Sequence, residues 1–528
     1  MRKGFIISAL FFILLFSALS YFFSPWWLIG LGISVFMTVM GINDMVQKKH
    51  SIMRTYPVFG RMRYWMEMLR PKLYQYFVES DIDGRPINRI DRSTIYQRAK
   101  QEIDTMPFGT PLDVYEEGYE WMCHSIAPKD FHKLNHHPRV LIGNKDCSQP
   151  YSASILNVSA MSFGALSANA IEALNGGAKI GNFAHNSGEG GVSSYHLKPG
   201  GDIIWQIGTG YFGCRDEEGK FSAEVFQKNV DRPQIKMIEL KLSQGAKPGH
   251  GGILPAKKNT EEIAAIRHVQ AHTTIFSPPY HSAFQTPKGL MQFIQELRTL
   301  SGGKPTGFKL CIGKKSEFIG ICKAMIELDV YPDFITVDGG EGGTGAAPQE
   351  FSNHVGAPMM DGLAFVHNML VGFGIRQHIA LIASGKILTG FHIIRAMALG
   401  ADACNSARAM MMAIGCIQAL QCNTNKCPTG VATQDPELTV GLVVEDKNKR
   451  VANYHEDTVK SFVELLGAAG LDHYKQLTRS HIYRRVFMNE VRTFEDIFPS
   501  LKPGCLINNE IPDRYKQDME EAYADKWF

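Results

Sequence analysis

Three cysteines, Cys416, Cys422 and Cys427, fall within twelve residues of one another in CIQALQCNTNKCP, and the other seven are scattered singly. Zinc usually takes four ligands, often from C-x2-C pairs, and this chain has no such pair. A disulfide would leave one thiol over. Cysteine followed by proline recurs in iron–sulfur loops, here as Cys427-Pro428. Three thiolates without a near fourth suit a cluster lacking one iron corner, a 3Fe-4S centre. Cys404 and Cys505 are the candidate fourth ligands for a four-iron alternative.

A second group of residues lies in glycine-rich loops: SAMSFG (159–164), NSGEGG (186–191), QGAKPGHGG (244–252), DGGEGGTG (338–345) and SGK (384–386). Glycine permits tight turns and close approach of backbone to a ligand. Loops of this kind converging on one face predict a large planar cofactor with a phosphate tail. Lys309, in GFKLCI, ends an apolar run and would bring an ammonium to the same face. Beside the N1 side of a flavin, at about 4 Å and an effective dielectric near 20, it would contribute roughly 4 kcal/mol before desolvation. Asn405, Ser406 and Arg408 close the last such run, and Cys416 follows eight residues later. A cluster held there would lie close to the cofactor's phosphate. Gly340, Gly342 and Gly345 satisfy G-x-G-x-x-G, but Pro348 and the polar stretch after it do not open a Rossmann helix.

The elements that must position these groups follow a βα rhythm. Strands are predicted at Ile155–Ala160, Asn182–Asn186, Ile203–Ile207, Ile235–Leu240, Gly307–Cys311, Phe334–Val337, Ile379–Ala383 and Asp402–Ser406. Helices are predicted between most of them, at Ser167–Lys179, Thr260–Gln270, Pro287–Leu300, Ser316–Leu328 and Gly390–Ala398. Eight parallel units over about 250 residues fit a (β/α)8 TIM barrel with its working face at the strand C-termini. A doubly wound open sheet is the runner-up.

Gly4–Phe23 is twenty residues without a charge, and Trp26–Ile42 is a second uncharged run. A helix of about twenty residues matches a hydrocarbon core of roughly 30 Å. Arg2 and Lys3 precede the pair, and Lys48, Lys49 and Arg54 follow it. This pattern predicts a transmembrane helical hairpin in the cell membrane, with both termini and the catalytic domain in the cytoplasm. A signal peptide is the competing reading, but no small-residue cleavage site is evident. Residues 54–77 mix basic and aromatic side chains in the manner of the headgroup layer. The net charge of +3 is too small for a nucleic-acid partner, and the cysteine usage suits a reducing compartment. The expected division is a hairpin (1–50), a helical linker (51–150), the barrel with its cysteine loop (151–435) and a helical C-terminal extension (436–528).

Residues 150–435 resemble the FMN-binding synthase domain of glutamate synthases. The resemblance rests on SAMSFGALS (159–167), NSGEGG (186–191), QGAKPG (244–249), SPP (277–279), GGTGAAP (342–348) and the cysteine loop ending CPTGVATQ. It implies FMN, a 3Fe-4S cluster and reduction of an imine of 2-oxoglutarate and ammonia to L-glutamate. It also implies an external electron donor, either ferredoxin or a membrane or reductase partner. FMN contacts would come from Met161, Ser162, Gly164, Asn186, Ser187, Gly188, Lys309, Gly339, Gly343, Thr344, Gly345, Ser384, Gly385, Ser406 and Arg408. Cys416, Cys422 and Cys427 would hold the cluster. Full-length members begin with a glutaminase domain whose nucleophile is an N-terminal cysteine. Here no cysteine precedes Cys123, so ammonia, another amine or a separate subunit is expected to supply nitrogen.

Two substrate-side positions depart from the family. Its G-E-G-G reads Gly249-His250-Gly251-Gly252, and the lysine of its S-I-K-H aligns with Asn353. Lys309, His250 and Asn353 are therefore the candidate catalytic positions, with His281, His354, Arg376 or Lys386 available to replace the lost charge. Two other readings remain. One is a flavin-dependent 2-hydroxy-acid or amino-acid dehydrogenase feeding electrons to the membrane, with His250, His281 or His354 as base. The other is an inactive membrane-tethered scaffold.

Overall fold

Short apolar, β-branched runs that cannot satisfy their own backbone groups must pair, and here eight of them close on themselves. The strands are β1 (Leu156–Val158), β2 (His185–Asn186), β3 (Ile203–Ile207), β4 (Ile235–Lys241), β5 (Thr306–Cys311), β6 (Phe334–Asp338), β7 (Ala380–Ser384) and β8 (Ala403–Ser406). All neighbours pair in parallel, and β8 pairs with β1, so no edge is left open. Each coincides with a predicted strand, and closure excludes the open sheet. The computed structural model describes residues 1–527.

Side chains two apart on a strand share a face. Glu239 and Lys241 on β4, Gly307 and Lys309 on β5, and Thr336 and Asp338 on β6 therefore run up the same side of their strands. The register sets Lys309 opposite both Thr336 and Lys241. Covering helices return the chain between strands: α4 (Ala168–Gly181), α5 (Pro287–Leu300), α6 (Lys315–Leu328), α7 (Met359–Gly372) and α8 (Gly390–Ala398). Thr286 caps α5 with Pro287 at its first turn, and Ser167 caps α4, as sequence signals of these types should.

The chain divides into two compact units, one of residues Met1–Ile90 and one starting at Asp91. In the first, α1 (Arg2–Phe22) and α2 (Leu28–Val46) meet through a turn at Pro25–Trp27. Both are long and apolar enough to cross a membrane, and α1 buries none of its residues. The two pack closely because Gly41 faces Phe5 and Gly30 faces Phe16. A Cβ at Gly41 would lie 2.0 Å from the Phe5 ring. Asp44, at the end of α2, is fully buried and bonds Arg61 at 2.6–2.9 Å and the Val58 N–H at 2.9 Å. That clamp fixes the start of α3 (Gly60–Leu73).

In the second unit the C-terminal extension is mostly helical, led by α9 (Val444–Ala468). It lies against α4 at Gly176 and Gly177, where added Cβ atoms would meet Asn448 and Val451. A hairpin of Ile482–Phe487 and Glu490–Thr493, joined by Glu120–Met122, adds a small antiparallel sheet. Its charges (Arg484, Arg485, Arg492) mask the alternation by which a strand is recognised in sequence.

Candidate functional site

The C-terminal ends of the strands surround a narrow, polar cleft, the usual place for a ligand in a barrel of this kind. Its walls are Ser159, Gln206, Lys241, Lys309, Asp338, Gly343, Ser384, Gly385, Lys386, Asn405, Ser406 and Arg408, among others. Of the residues singled out from the sequence, Lys309, Gly343, Ser384, Gly385, Ser406 and Arg408 thus meet around one space. Met161, Asn186, Ser187, Gly188 and Gly339 are buried, and Ser162 is half-buried. The Met161 carbonyl accepts from His196 Nε2 at 3.3 Å. Gly164, at φ +100°, turns the first loop back, and its carbonyl accepts from Gln434. Thr344 and Gly345 lie exposed on the loop after β6. His250 and Asn353 do not line this cleft. His250 is half-buried and edge-on to the Phe351 ring at 5.2 Å, and Asn353 is exposed on the short helix Gln349–His354.

Polar groups inside a barrel must be satisfied by one another, and the floor of the cleft shows how. Glu239 is fully buried and accepts from Asn186 Nδ2 at 2.7 Å, Gln206 Nε2 at 2.5 Å and Thr336 Oγ1 at 2.6 Å. One layer above, Lys309 Nζ pairs with Asp338 Oδ2 at 3.1 Å. Burial disfavours the Lys309 ammonium, but Asp338 and then Glu239 overcome this and hold its pKa above the ordinary lysine value. Asp338 also accepts from the N–H groups of Gly245 and Gly339, at 2.9 and 3.1 Å.

On the next wall Lys241 pairs with Glu189 at 3.0 Å. Burial opposes ionisation of Glu189, yet Lys241, assisted by Lys247 and Arg267, brings its pKa below the usual carboxylate range. Arg408 Nη2 donates to the Glu341 carbonyl at 2.7 Å and so lies across the loop after β6. Lys241, Lys309, Lys386 and Arg408 thus bring four cations to the lining, two of them paired with Glu189 and Asp338.

Glu239, Gln206, Lys241, Glu189 and Glu341 escaped the sequence reading. The signal for two of them was present in IKMIELK, whose Glu239 and Lys241 interrupt an apolar strand two residues apart.

The cysteine loop lies on the surface beside this face. Cys416 and Cys422 are half-buried and Cys427 is buried. Burial pushes the Cys416 thiol up to about 11, with Cys422 and Cys427 adding to the shift. At Cys427 burial works against the thiolate, but N–H groups of Ala432, Thr429 and Val431 and the Thr429 hydroxyl reverse the balance. Among the described residues no three His, Cys, Asp or Glu side chains close on one metal position. Cys404 lies within β8, and Cys505 is buried in the segment where Leu506 N–H donates to Gly372 at the end of α7. Four bonds tie the cysteine loop to the loop after β1: Ser167 Oγ to the Gly430 carbonyl at 2.6 Å, the Ser167 N–H to the Val431 carbonyl at 2.9 Å, and Gln434 Nε2 to the Gly164 and Leu166 carbonyls at 3.2 and 2.8 Å.

His281 bridges Tyr211 Oη and the Lys241 carbonyl, at 3.1 and 2.8 Å. Burial pulls it and His196 down to about 4. The unfolded state then binds more protons than the folded one between about pH 6.5 and 4, so this contribution is complete above 6.5 and lost as pH falls through 4. Thermal stability is expected to fall across that window, and to fall less in His281→Asn than in the parent. Equal slopes in the two proteins would overturn the assignment.

Residues 91–472 match the model of the conserved region in glutamate synthase. The chain is 38% identical to the glutamate synthase large subunit-like protein YerD of Bacillus subtilis over 483 residues, covering 84% of this chain and 91% of that one. It is 36% identical to the archaeal glutamate synthase [NADPH] of Methanocaldococcus jannaschii over 318 residues, 60% of this chain and 59% of that. With the ferredoxin-dependent glutamate synthase of Cyanidium caldarium it shares 34% identity over 396 residues, 69% of this chain but 24% of that much longer one. A closed barrel with this cleft, on a chain matched over most of its length, makes the protein a member of the glutamate synthase family of oxidoreductases.

Proposed function

We propose that this is a membrane-anchored FMN and iron–sulfur oxidoreductase that reduces the imine of 2-oxoglutarate and ammonia, or another amine, to L-glutamate or a relative. Electrons would enter from a ferredoxin or from a membrane or reductase partner. The observation that carries the reading is the set of bonds joining the three-cysteine loop to the loop after β1, by which a thiol-rich surface loop touches the face of the barrel that bears the cleft.

The cleft residues suit the flavin, and the cysteine loop gathers three thiols near enough to act on one another, although they do not close on a single metal position. Ser384, Gly385, Lys386, Ser406 and Arg408 form the cationic, backbone-rich end of the cleft, where a phosphate tail would be held. Asn405 Oδ1 is buried there without a hydrogen-bond partner, an acceptor that a cofactor hydroxyl would satisfy. The N–H groups facing Cys427 are of the kind that tune a metal-bound sulfur. When bound, FMN supplies hydride chemistry and a 3Fe-4S cluster supplies one-electron chemistry. The protein's part is to fix charge: Lys309, kept protonated by Asp338 and Glu239, would stabilise negative charge on a flavin held in the cleft, and Lys241 would meet an oxo-acid carboxylate. In this reading residues 1–50 anchor the chain, 51–150 link it, 151–435 carry the chemistry and 436–528 buttress the barrel.

The test uses the full chain, extracted from membranes in detergent and purified anaerobically. It is expected to show flavin bands over broad cluster absorbance, and to form glutamate from 2-oxoglutarate and ammonia with reduced ferredoxin. Cys422→Ser is expected to keep the flavin bands while losing the cluster absorbance and ferredoxin-driven turnover. A folded but colourless protein would sink the proposal.

A further inference from the structure

Between the short strands Ile253–Leu254 and Ile275–Phe276 the chain leaves the barrel, and the turn Ala256–Lys258 directs one lysine inward. Lys258 is 2% exposed. Its Nζ donates to the Ala165 carbonyl at 2.9 Å and to the Ala432 carbonyl at 2.8 Å. Ala165 belongs to the loop after β1. Ala432 closes the turn that follows Cys427, and its own N–H faces the Cys427 sulfur. The excursion is pinned on both sides of the lysine. Asn259 Nδ2 bonds the Gln270 and Thr273 carbonyls at 2.8 and 3.0 Å, and the Lys257 carbonyl accepts from Asn425 of the cysteine loop at 3.5 Å.

Burying an ammonium without an anion is costly. Burial pulls the Lys258 pKa down to about 8, and the ionisable groups that act against this are the thiols of Cys422 and Cys427, not a carboxylate. We infer that Lys258 is the counter-ion of the three-cysteine centre, a positioning residue that ties the centre to the cofactor loop and raises the reduction potential of the cluster bound there. The inference rests on the iron–sulfur part of the proposed function. Reduction of the cluster by a one-electron donor of the ferredoxin class adds one negative charge at the site. A fixed cation favours that form, and net charge is among the factors that set cluster potentials.

The test is a redox titration of the cluster signal by electron paramagnetic resonance in the anaerobically purified full chain, with iron and sulfide analysis. Lys258→Met is expected to lower the cluster midpoint, and Lys258→Arg to stay close to the parent. Loss of iron and sulfide from K258M but not from K258R would support the same role. Unchanged or raised potential in K258M, or equal cluster loss from both variants, would overturn it. Absence of iron and sulfide from the parent would instead remove the iron–sulfur reading itself, and this inference with it.

Discussion

Lys309→Met is expected to destabilise the protein by about 3–5 kcal/mol, the usual result of removing one partner from a buried ion pair. The pair is sealed: the Lys309 and Asp338 side chains are 7% and 9% exposed, so water does not screen the loss. The cost should fall toward the lower end, because the N–H groups of Gly245 and Gly339 still face the stranded Asp338 carboxylate. Asp338→Asn in the same background should recover part of the stability, since it removes the charge left alone. Denaturation midpoints of the two single variants and the double variant, followed by circular dichroism, measure the coupling. Simple additivity would mean that the pair contributes nothing.

The same substitution has a second, separable consequence under the proposed function. An ammonium beside the N1 side of the flavin favours the reduced, anionic ring, so its loss should lower the two-electron potential by roughly tens of millivolts. Spectroelectrochemistry of the flavin reads this independently of stability. A potential unmoved in Lys309→Met would remove Lys309 from the flavin's surroundings while leaving its structural role intact.

Lys309 was legible in the sequence as a lysine interrupting an apolar run at GFKLCI, although it stands inside β5, with Leu310 and Cys311 after it, and not at the strand's end. The eight strands were legible for a related reason: short β-branched runs alternating with helical stretches admit few topologies. What sequence could not supply was phase. Whether Glu239 points into the barrel or out of it depends on the pairing of β4 with β3 and β5, which sets Gln206 opposite Glu239 and Lys309 opposite Lys241. Lys258 was invisible for a different reason. It sits 158 residues before Cys416, in an excursion whose path no local pattern specifies. The cysteine spacing announced a site, but its bonds to Ser167 and Leu166 are tertiary and needed the fold.

Glu239→Ala is expected to cost about 3–6 kcal/mol. Each buried donor left unsatisfied costs roughly 1–3 kcal/mol, and three donors that share one acceptor do not add in full. Asn186 and Gln206 both donate to Oε2, whereas Thr336 donates to Oε1 through a hydroxyl that can rotate. Glu239→Gln should therefore be mild. Its carbonyl oxygen replaces Oε2, and its amide N–H donates to a Thr336 oxygen that has turned from donor to acceptor. Asn186 carries the effect to the cleft, because its Oδ1 accepts from the Gly188 N–H at 3.0 Å and shapes the NSGEGG loop. Denaturation midpoints should place Glu239→Gln near the parent and Glu239→Ala far below it, and flavin retention should follow the same order. If the two variants are equally unstable, the negative charge facing Lys309 matters more than the hydrogen bonds, and the floor of the cleft is an electrostatic device before it is a scaffold.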